Sequence, residues 1–488
     1  MMLLAALALA AATPDVVVQT DAGKIAGEAM PDGRHLFRGI PFAQPPVGDL
    51  RWKPPVPVKP WAGIRDATRS GPGCMQIDYG WNHGNAVNQS EDCLYLEVVS
   101  PDMKPAKPLP VMVWIHGGGN RAGGAIGTIQ SDLGRHVVLV SIQYRLGAFG
   151  FMAHAALTAE SPHHSSGNYG LLDQQAALRW VQANIARFGG DPRNVTIFGE
   201  SAGAQDVGLQ YLSPLARGLF AKGIEESGTA GFGMPPRTLA ASEAIGETLV
   251  TLAGAPAHAD AAALRKLPAD AILQATEKTP LPEVGDNSYI WLQAVNDGWV
   301  LTETPARTLA RTGGAPLPLI IGSNARELDA FHYQAQLQNA IDKTFGANAA
   351  AGRAFYERLT PDTRRGNVLL QFATDLAFAC PADVVAAAHR KAGHPTWQYE
   401  FDYALPGEEV SHSYEIKFAM GAPAAFPPGA PPIESYWVNF ARTGDPNGPG
   451  LPRWEPYAPG KAYISFQKGK SEMKSDLRGE VCRLRKMP

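Results

Sequence analysis

Several things are scarce in this sequence, and each absence removes a class of protein. There is no surplus of positive charge: 43 Lys and Arg stand against 46 Asp and Glu, a formal net charge of −3. No run of basic residues with interleaved aromatics occurs, which excludes a nucleic-acid partner. A transmembrane anchor at the N-terminus is not expected either. Met1–Ala12 is apolar throughout, but 12 residues cannot cross about 30 Å of hydrocarbon as a helix. That run ends in small residues, Ala8-Leu-Ala10 and Ala10-Ala-Ala12, the form of an export-signal cleavage site. No Lys or Arg precedes Lys24, so a basic leader is missing. Residues 1–12 are read as a signal peptide and residues 13–488 as one domain, exported to a periplasm or the exterior. Cysteine is limited to Cys74, Cys93, Cys380 and Cys482, with no Cys-x-x-Cys pair, so no metal knuckle or redox motif is indicated. An even number in an exported chain fits two disulfides, and the count leaves three pairings open. Heptads, internal repeats and low-complexity linkers are missing too.

What is present is ordinary for a compact protein: 45% hydrophobic and 18% charged residues over 488 positions. Such a length suggests about three domains, but large α/β enzymes grow a single core instead. Short β-branched runs alternate with helical stretches, the pattern of a mostly parallel sheet covered on both faces. Val111–Ile115, Val137–Ile142, Val195–Phe198, Leu317–Ile321 and Trp397–Tyr403 read as strands. Leu171–Phe188 reads as an amphipathic helix stopped by Gly189 and Gly190. Between Gly231 and Asp286 the chain is Ala-rich and broken by proline, as expected of helices added beside the sheet. Seven prolines between Pro41 and Pro60 make that stretch extended chain.

The sharpest local signal is Gly199-Glu-Ser201-Ala-Gly203, between the strand Val195–Phe198 and a helix from Ala202 toward Tyr211. A strand turning abruptly into a helix lifts the central serine above the sheet, and flanking glycines remove Cβ atoms that would clash. His116-Gly-Gly-Gly119 directly follows the strand Val111–Ile115. Acyl transfer needs an oxyanion stabilised, and unhindered backbone N–H groups suit that task. A dinucleotide loop is excluded there, because no helix follows and the next strand ends in Gln143 rather than an acid. A serine needs a base, and the base needs an orienting carboxylate. In the α/β-hydrolase arrangement the chain order is serine, acid, histidine. Five histidines follow Ser201: His258, His332, His389, His394 and His412. His412 lies a short loop after the strand Trp397–Tyr403, and Glu327 lies just beyond Leu317–Ile321, both at strand C-terminal ends.

Longer stretches resemble the type-B carboxylesterases, the family that includes cholinesterases. Phe37-Arg-Gly-Ile-Pro-Phe-Ala-Gln-Pro-Pro-Val-Gly-Asp-Leu-Arg-Trp52 is similar to its N-terminal signature, and Ser90-Glu-Asp-Cys-Leu-Tyr-Leu96 to its second. Phe188-Gly-Gly-Asp-Pro192, with Val195 to Ala204, is similar to its third. Tyr436-Trp-Val-Asn-Phe-Ala-Arg-Thr-Gly-Asp-Pro-Asn447 also matches. The resemblance implies an α/β-hydrolase fold, a large mostly parallel sheet flanked by helices with added helices around an active-site gorge. It implies Ser201 as nucleophile, His412 as base and Glu327 as acid, with an oxyanion hole from Gly118, Gly119 and the N–H of Ala202. It implies disulfides Cys74–Cys93 and Cys380–Cys482, and a supporting role for Ser227 beside the acid. The chain departs from the family pattern at Ser413, where glycine is usual after the histidine, at Leu328, where a small residue is usual, and at Arg326, where an acid is common.

The expected function is hydrolysis of carboxylic esters through an acyl-enzyme, with no metal and no organic cofactor. Activity should rise as an imidazole loses its proton, a change centred near about 6.5 for an unperturbed side chain. The alternatives are a hydrolase of a related amide, lactone or carbonate bond, or a catalytically silent binding or adhesion protein on the same fold. Tyr79, Trp81 and Phe331 are candidates for the substrate pocket. The expected partner is a small ester. Neither its identity nor the oligomeric state follows from the residues.

Overall fold

The computed structural model describes residues 16–231, 236–279, 294–328, 337–362 and 364–485. The expected signal, Met1–Ala12, lies outside them. The strands of the main sheet are, in chain order, β1 (Val16–Gln19), β2 (Lys24–Ala29), β3 (His35–Pro41), β4 (Tyr95–Ser100), β5 (Leu109–Ile115), β6 (Val138–Ile142), β7 (Gly190–Glu200), β8 (Lys222–Glu226), β9 (Leu319–Asn324), β10 (Thr396–Asp402), β11 (Ala462–Gln467) and β12 (Lys470–Ser475). They line up as β1-β2-β3-β4-β6-β5-β7-β8-β9-β10-β11-β12, with a short strand Ile64–Asp66 added beside β2. Every pairing from β6 to β11 is parallel. Antiparallel pairs close both edges.

The parallel centre explains the β-branched runs, since both faces of such a sheet are covered. Alternate residues of one strand enter different cores. From β5, Val111, Val113 and Ile115 join one cluster, with Leu178 and Val181 of helix α1 (Tyr169–Asn184) and Val207 and Leu209 of α2 (Ala202–Leu212). Met112 and Trp114 join the other, with Trp437 and Phe440 of α3 (Ile433–Thr443) and Trp454. This is the two-residue period of a strand read out on two sides.

The expected amphipathic helix is present as α1, continued by a 3₁₀ turn Ile185–Phe188, but it is not amphipathic. Asp173, Gln174 and Gln175 are fully buried along with its apolar residues. Burying polar groups is tolerated because each finds partners. Asp173 takes Nε and Nη2 of Arg145, each at 2.7 Å, Gln174 donates to Asp206 at 2.6 Å, and Gln175 donates to Gln210 at 2.9 Å. The Ala-rich stretch forms helices Leu239–Leu252, Ala261–Arg265 and Ala269–Lys278, as expected. A helical run, Val368–Lys391, is long and apolar enough to span a membrane, yet 83% of its most apolar window is buried inside the fold. Disulfides join Cys74 to Cys93 and Cys380 to Cys482, the pairing that the family resemblance implied.

Candidate active site

The parallel strands end along one edge of the sheet, and the singled-out residues gather there, as ligand sites do in open α/β sheets. β7 ends at Glu200, and α2 starts at Ala202. Between them Ser201 has φ 58° and ψ −123°, a conformation non-glycine residues rarely adopt. Its N–H donates to the carbonyl of Glu226 in β8 at 2.8 Å, which anchors the strained turn. The turn also needs α2 close to β5: a Cβ on Gly203 would stand 2.1 Å from the carbonyl oxygen of Ile115.

The loop after β5 carries His116 to Asn120. Gly118 has φ 102°, and a Cβ there would meet the Ala122 carbonyl at 2.1 Å. No described backbone carbonyl accepts from the N–H of Gly118 or Gly119, and both residues line the same cavity as Ser201 and Ala202. His116 is buried and stacks on Tyr144 with ring centroids 4.4 Å apart. Burial pulls its imidazole down to about 4, partly offset by its bond to the Gly117 carbonyl, so it stays neutral.

Glu327 follows β9, and His412 follows the loop after β10. Nδ1 of His412 lies 2.6 Å from Oε2 of Glu327, while Oε1 of Glu327 accepts the N–H of Asn324 at 2.7 Å. Burial pushes the Glu327 carboxyl up to about 8, against the opposing help of Ser227 and Asn324. The Ser227 hydroxyl donates to Oε1 of Glu415 at 2.8 Å, and Asn324 Nδ2 donates to Glu415 Oε2 at 2.5 Å. Ser227 thus stands between two buried carboxyls. Nε2 of His412 has no aligned hydrogen-bond partner among the described residues. It sits 3.1 Å from Glu200 Oε1, off the direction of a hydrogen bond. The same oxygen accepts the Ser413 hydroxyl at 2.5 Å. Burial raises Glu200 and Glu415, with His412 pulling each down.

The cavity holds about 530 Å³, within the range of small-molecule sites. Ser201 and His412 line it, with Trp81, Trp114, Phe378, Leu328 and Met420 among its apolar walls. Phe378 lies 5.0 Å from the His412 ring, centroid to centroid. Of the residues expected near substrate, Trp81 lines the mouth and is 66% exposed. Tyr79 does not line the cavity. It donates to Glu277 at 2.7 Å and supports Arg121, which does line it, 4.4 Å above its ring. Phe331 lies outside the described residues. Sequence reasoning missed Glu200, Ser413, Glu415 and Asn120 as neighbours of the chemistry. Glu200 stood inside the quoted serine motif and Glu415 inside His412-Ser-Tyr-Glu-Ile416, so adjacency was the available signal.

The profile of the carboxylesterase family matches residues 14–485. Carboxylesterase 1E of Mus musculus is 35% identical over 517 aligned residues, covering 92% of this chain and 90% of that protein. Carboxylesterase 1D of Rattus norvegicus is 36% identical over 515, covering 92% and 89%. The fumonisin B1 esterase of Sphingopyxis macrogoltabida is 36% identical over 474, covering 90% and 84%.

Proposed function

The chain belongs to the carboxylesterase family and is a carboxylic ester hydrolase, and on that premise we propose that Ser201, His412 and Glu327 carry the reaction through an acyl-enzyme. The observation that carries this reading is the 2.6 Å bond from His412 to Glu327 above a cavity into which the strained Ser201 turn opens.

In the first half-reaction the Ser201 oxygen attacks the ester carbonyl carbon as His412 Nε2 takes the hydroxyl proton. The carbonyl oxygen becomes an oxyanion against the N–H groups of Gly118, Gly119 and Ala202. Collapse breaks the carbon–oxygen bond, and the alcohol leaves with the proton from His412. Water then repeats the sequence on the acyl-serine: His412 removes its proton, the carboxylic acid departs and Ser201 regains its hydrogen. Glu327 holds the tautomer that puts the Nε2 lone pair toward Ser201 and stabilises the imidazolium that forms. Ser227 supports the acid from the side of Glu415.

Residues 13–488 act as one domain in this reading, and residues 1–12 direct export. Two disulfides are consistent with an oxidising compartment. The test is a fluorophosphonate probe with peptide mapping. Stoichiometric label on the Ser201 peptide, lost in Ser201→Ala, is the expected result. A folded, unlabelled protein would overturn the reading and favour a silent binding protein on this fold.

A further inference from the structure

The proposed oxyanion donors come from two separate pieces of chain. Gly118 and Gly119 belong to the loop after β5, and Ala202 belongs to the start of α2. Their N–H groups converge on one oxygen only if loop and helix are held in fixed relation. Asn120 is the residue placed to do this. It is buried at 4% exposure with φ 56°. Its Nδ2 donates to Oδ1 of Asp206, one turn into α2, at 3.1 Å. Its Oδ1, at 3.1 Å, and the His116 carbonyl, at 2.7 Å, share the one hydroxyl proton of Tyr144. Its backbone carbonyl accepts the N–H of Gly147 at 2.7 Å.

Asp206 is itself immobilised. Its second oxygen accepts Gln174 Nε2 at 2.6 Å, and Gln174 accepts Gln210 Nε2 at 2.9 Å. Gln210 in turn accepts Gln175, which also donates to Ser213 at 3.2 Å. A ladder of buried amides between α1 and α2 therefore ends at the glycine loop. These are the polar residues that made α1 depart from an amphipathic helix.

We propose that Asn120 and Asp206 form a positioning clamp that fixes the glycine-loop donors against the helix N-terminus, so that the oxyanion hole is set before substrate arrives. The clamp touches no substrate and acts through the backbone it holds. It rests on the reading of Gly118, Gly119 and Ala202 as the hole. Donors preorganised toward charge that develops in the transition state act on kcat rather than on ground-state binding.

The test compares wild type with Asn120→Leu, Asp206→Asn and the double variant, using a soluble p-nitrophenyl ester. A trifluoromethyl ketone, which adds to an active serine as a tetrahedral oxyanion, serves as inhibitor. Asn120→Leu should lower kcat about 10- to 100-fold with KM changed less than about threefold. Inhibitor affinity should fall by the same factor as kcat/KM in a variant that stays folded, with a melting temperature lowered by the unpaired Asp206 oxygen and by leucine at φ 56°. The double variant should be no worse than Asn120→Leu alone, because both changes open one clamp. A folded Asn120→Leu with kcat within about twofold of wild type, or with inhibitor affinity unmoved while kcat falls, would overturn the proposal. If that variant does not fold, Asn120→Ser, which stays polar but is too short to reach Asp206, is measured in the same way and held to the same limits. A wild-type enzyme that fluorophosphonate fails to label would sink the triad assignment instead, so the two failures are distinguishable.

Discussion

On the Ser201 side of the cavity the polar groups are mostly neutral: backbone N–H groups of the glycine loop, Asn120, Tyr144 and a ladder of glutamines that ends on a single carboxyl, Asp206. Around His412 there are three buried carboxyls instead, Glu200, Glu327 and Glu415, and Glu226, also buried, accepts from Trp437. Burial raises all of them. The contrast follows the charges of the proposed reaction. An oxyanion forming near Ser201 is met by dipoles that need no reorganisation, whereas a proton arriving on His412 is met by carboxyl groups, and its positive charge draws those of Glu200 and Glu415 back toward ionisation.

The largest test of the contrast falls on the carboxylate side. Glu327→Gln keeps the shape but lets His412 adopt the wrong tautomer. It should lower kcat by about 10⁴, read by steady-state kinetics on a folded variant. A loss under about tenfold would mean that Glu415 or Glu200 does the orienting. Next comes the dipole side. Gly118→Ala puts a Cβ 2.1 Å from the Ala122 carbonyl at φ 102°. The loop must move, and kcat should fall about 10²- to 10³-fold with little change in KM.

A third prediction concerns stability. Glu327 and Asp206 are pushed up to about 8 and about 7 by burial, so the folded protein holds protons that the unfolded chain has released. Their contribution is complete below the ordinary carboxylate range and is lost as pH rises through 7 to 8. Denaturant unfolding should therefore show stability declining between pH 5 and pH 8, by the order of a few kcal/mol. Asp206→Asn should flatten that slope, and a slope of opposite sign would count against the burial argument. The smallest effect is expected from Ser413→Gly, which removes the hydroxyl from Glu200. One hydrogen bond of about 1 kcal/mol predicts a change in kcat/KM within about fivefold, with any larger effect confined to the alkaline limb of the pH profile.

Much of this was legible in the chain, and the limit was sequence distance. Ser201 announces itself because strand, turn and helix are contiguous, so one short window contains the whole device. The glycine loop is readable for the same reason. His412 and Glu327 lie far from Ser201 along the chain, and chain order together with family resemblance located them. Neither cue reveals that Glu200 stands between Ser413 and His412, a contact across 213 positions. The misjudged element was α1. Asp173, Gln174 and Gln175 look like a solvent face until the partners that bury them are known, and those partners, Arg145, Asp206 and Gln210, belong to other segments.

Trp81 gives the cavity an optical address. Among the described tryptophans it is the exposed one, and it sits at the mouth, while Trp52, Trp114, Trp437 and Trp454 are packed away from water. A collisional quencher such as iodide should therefore darken this indole most, ahead of the half-buried Trp61 and Trp299, and an occupant of the mouth should shield it. The enzyme's own emission would then report filling of the site for ligands that are never cleaved, with no chromogenic leaving group attached.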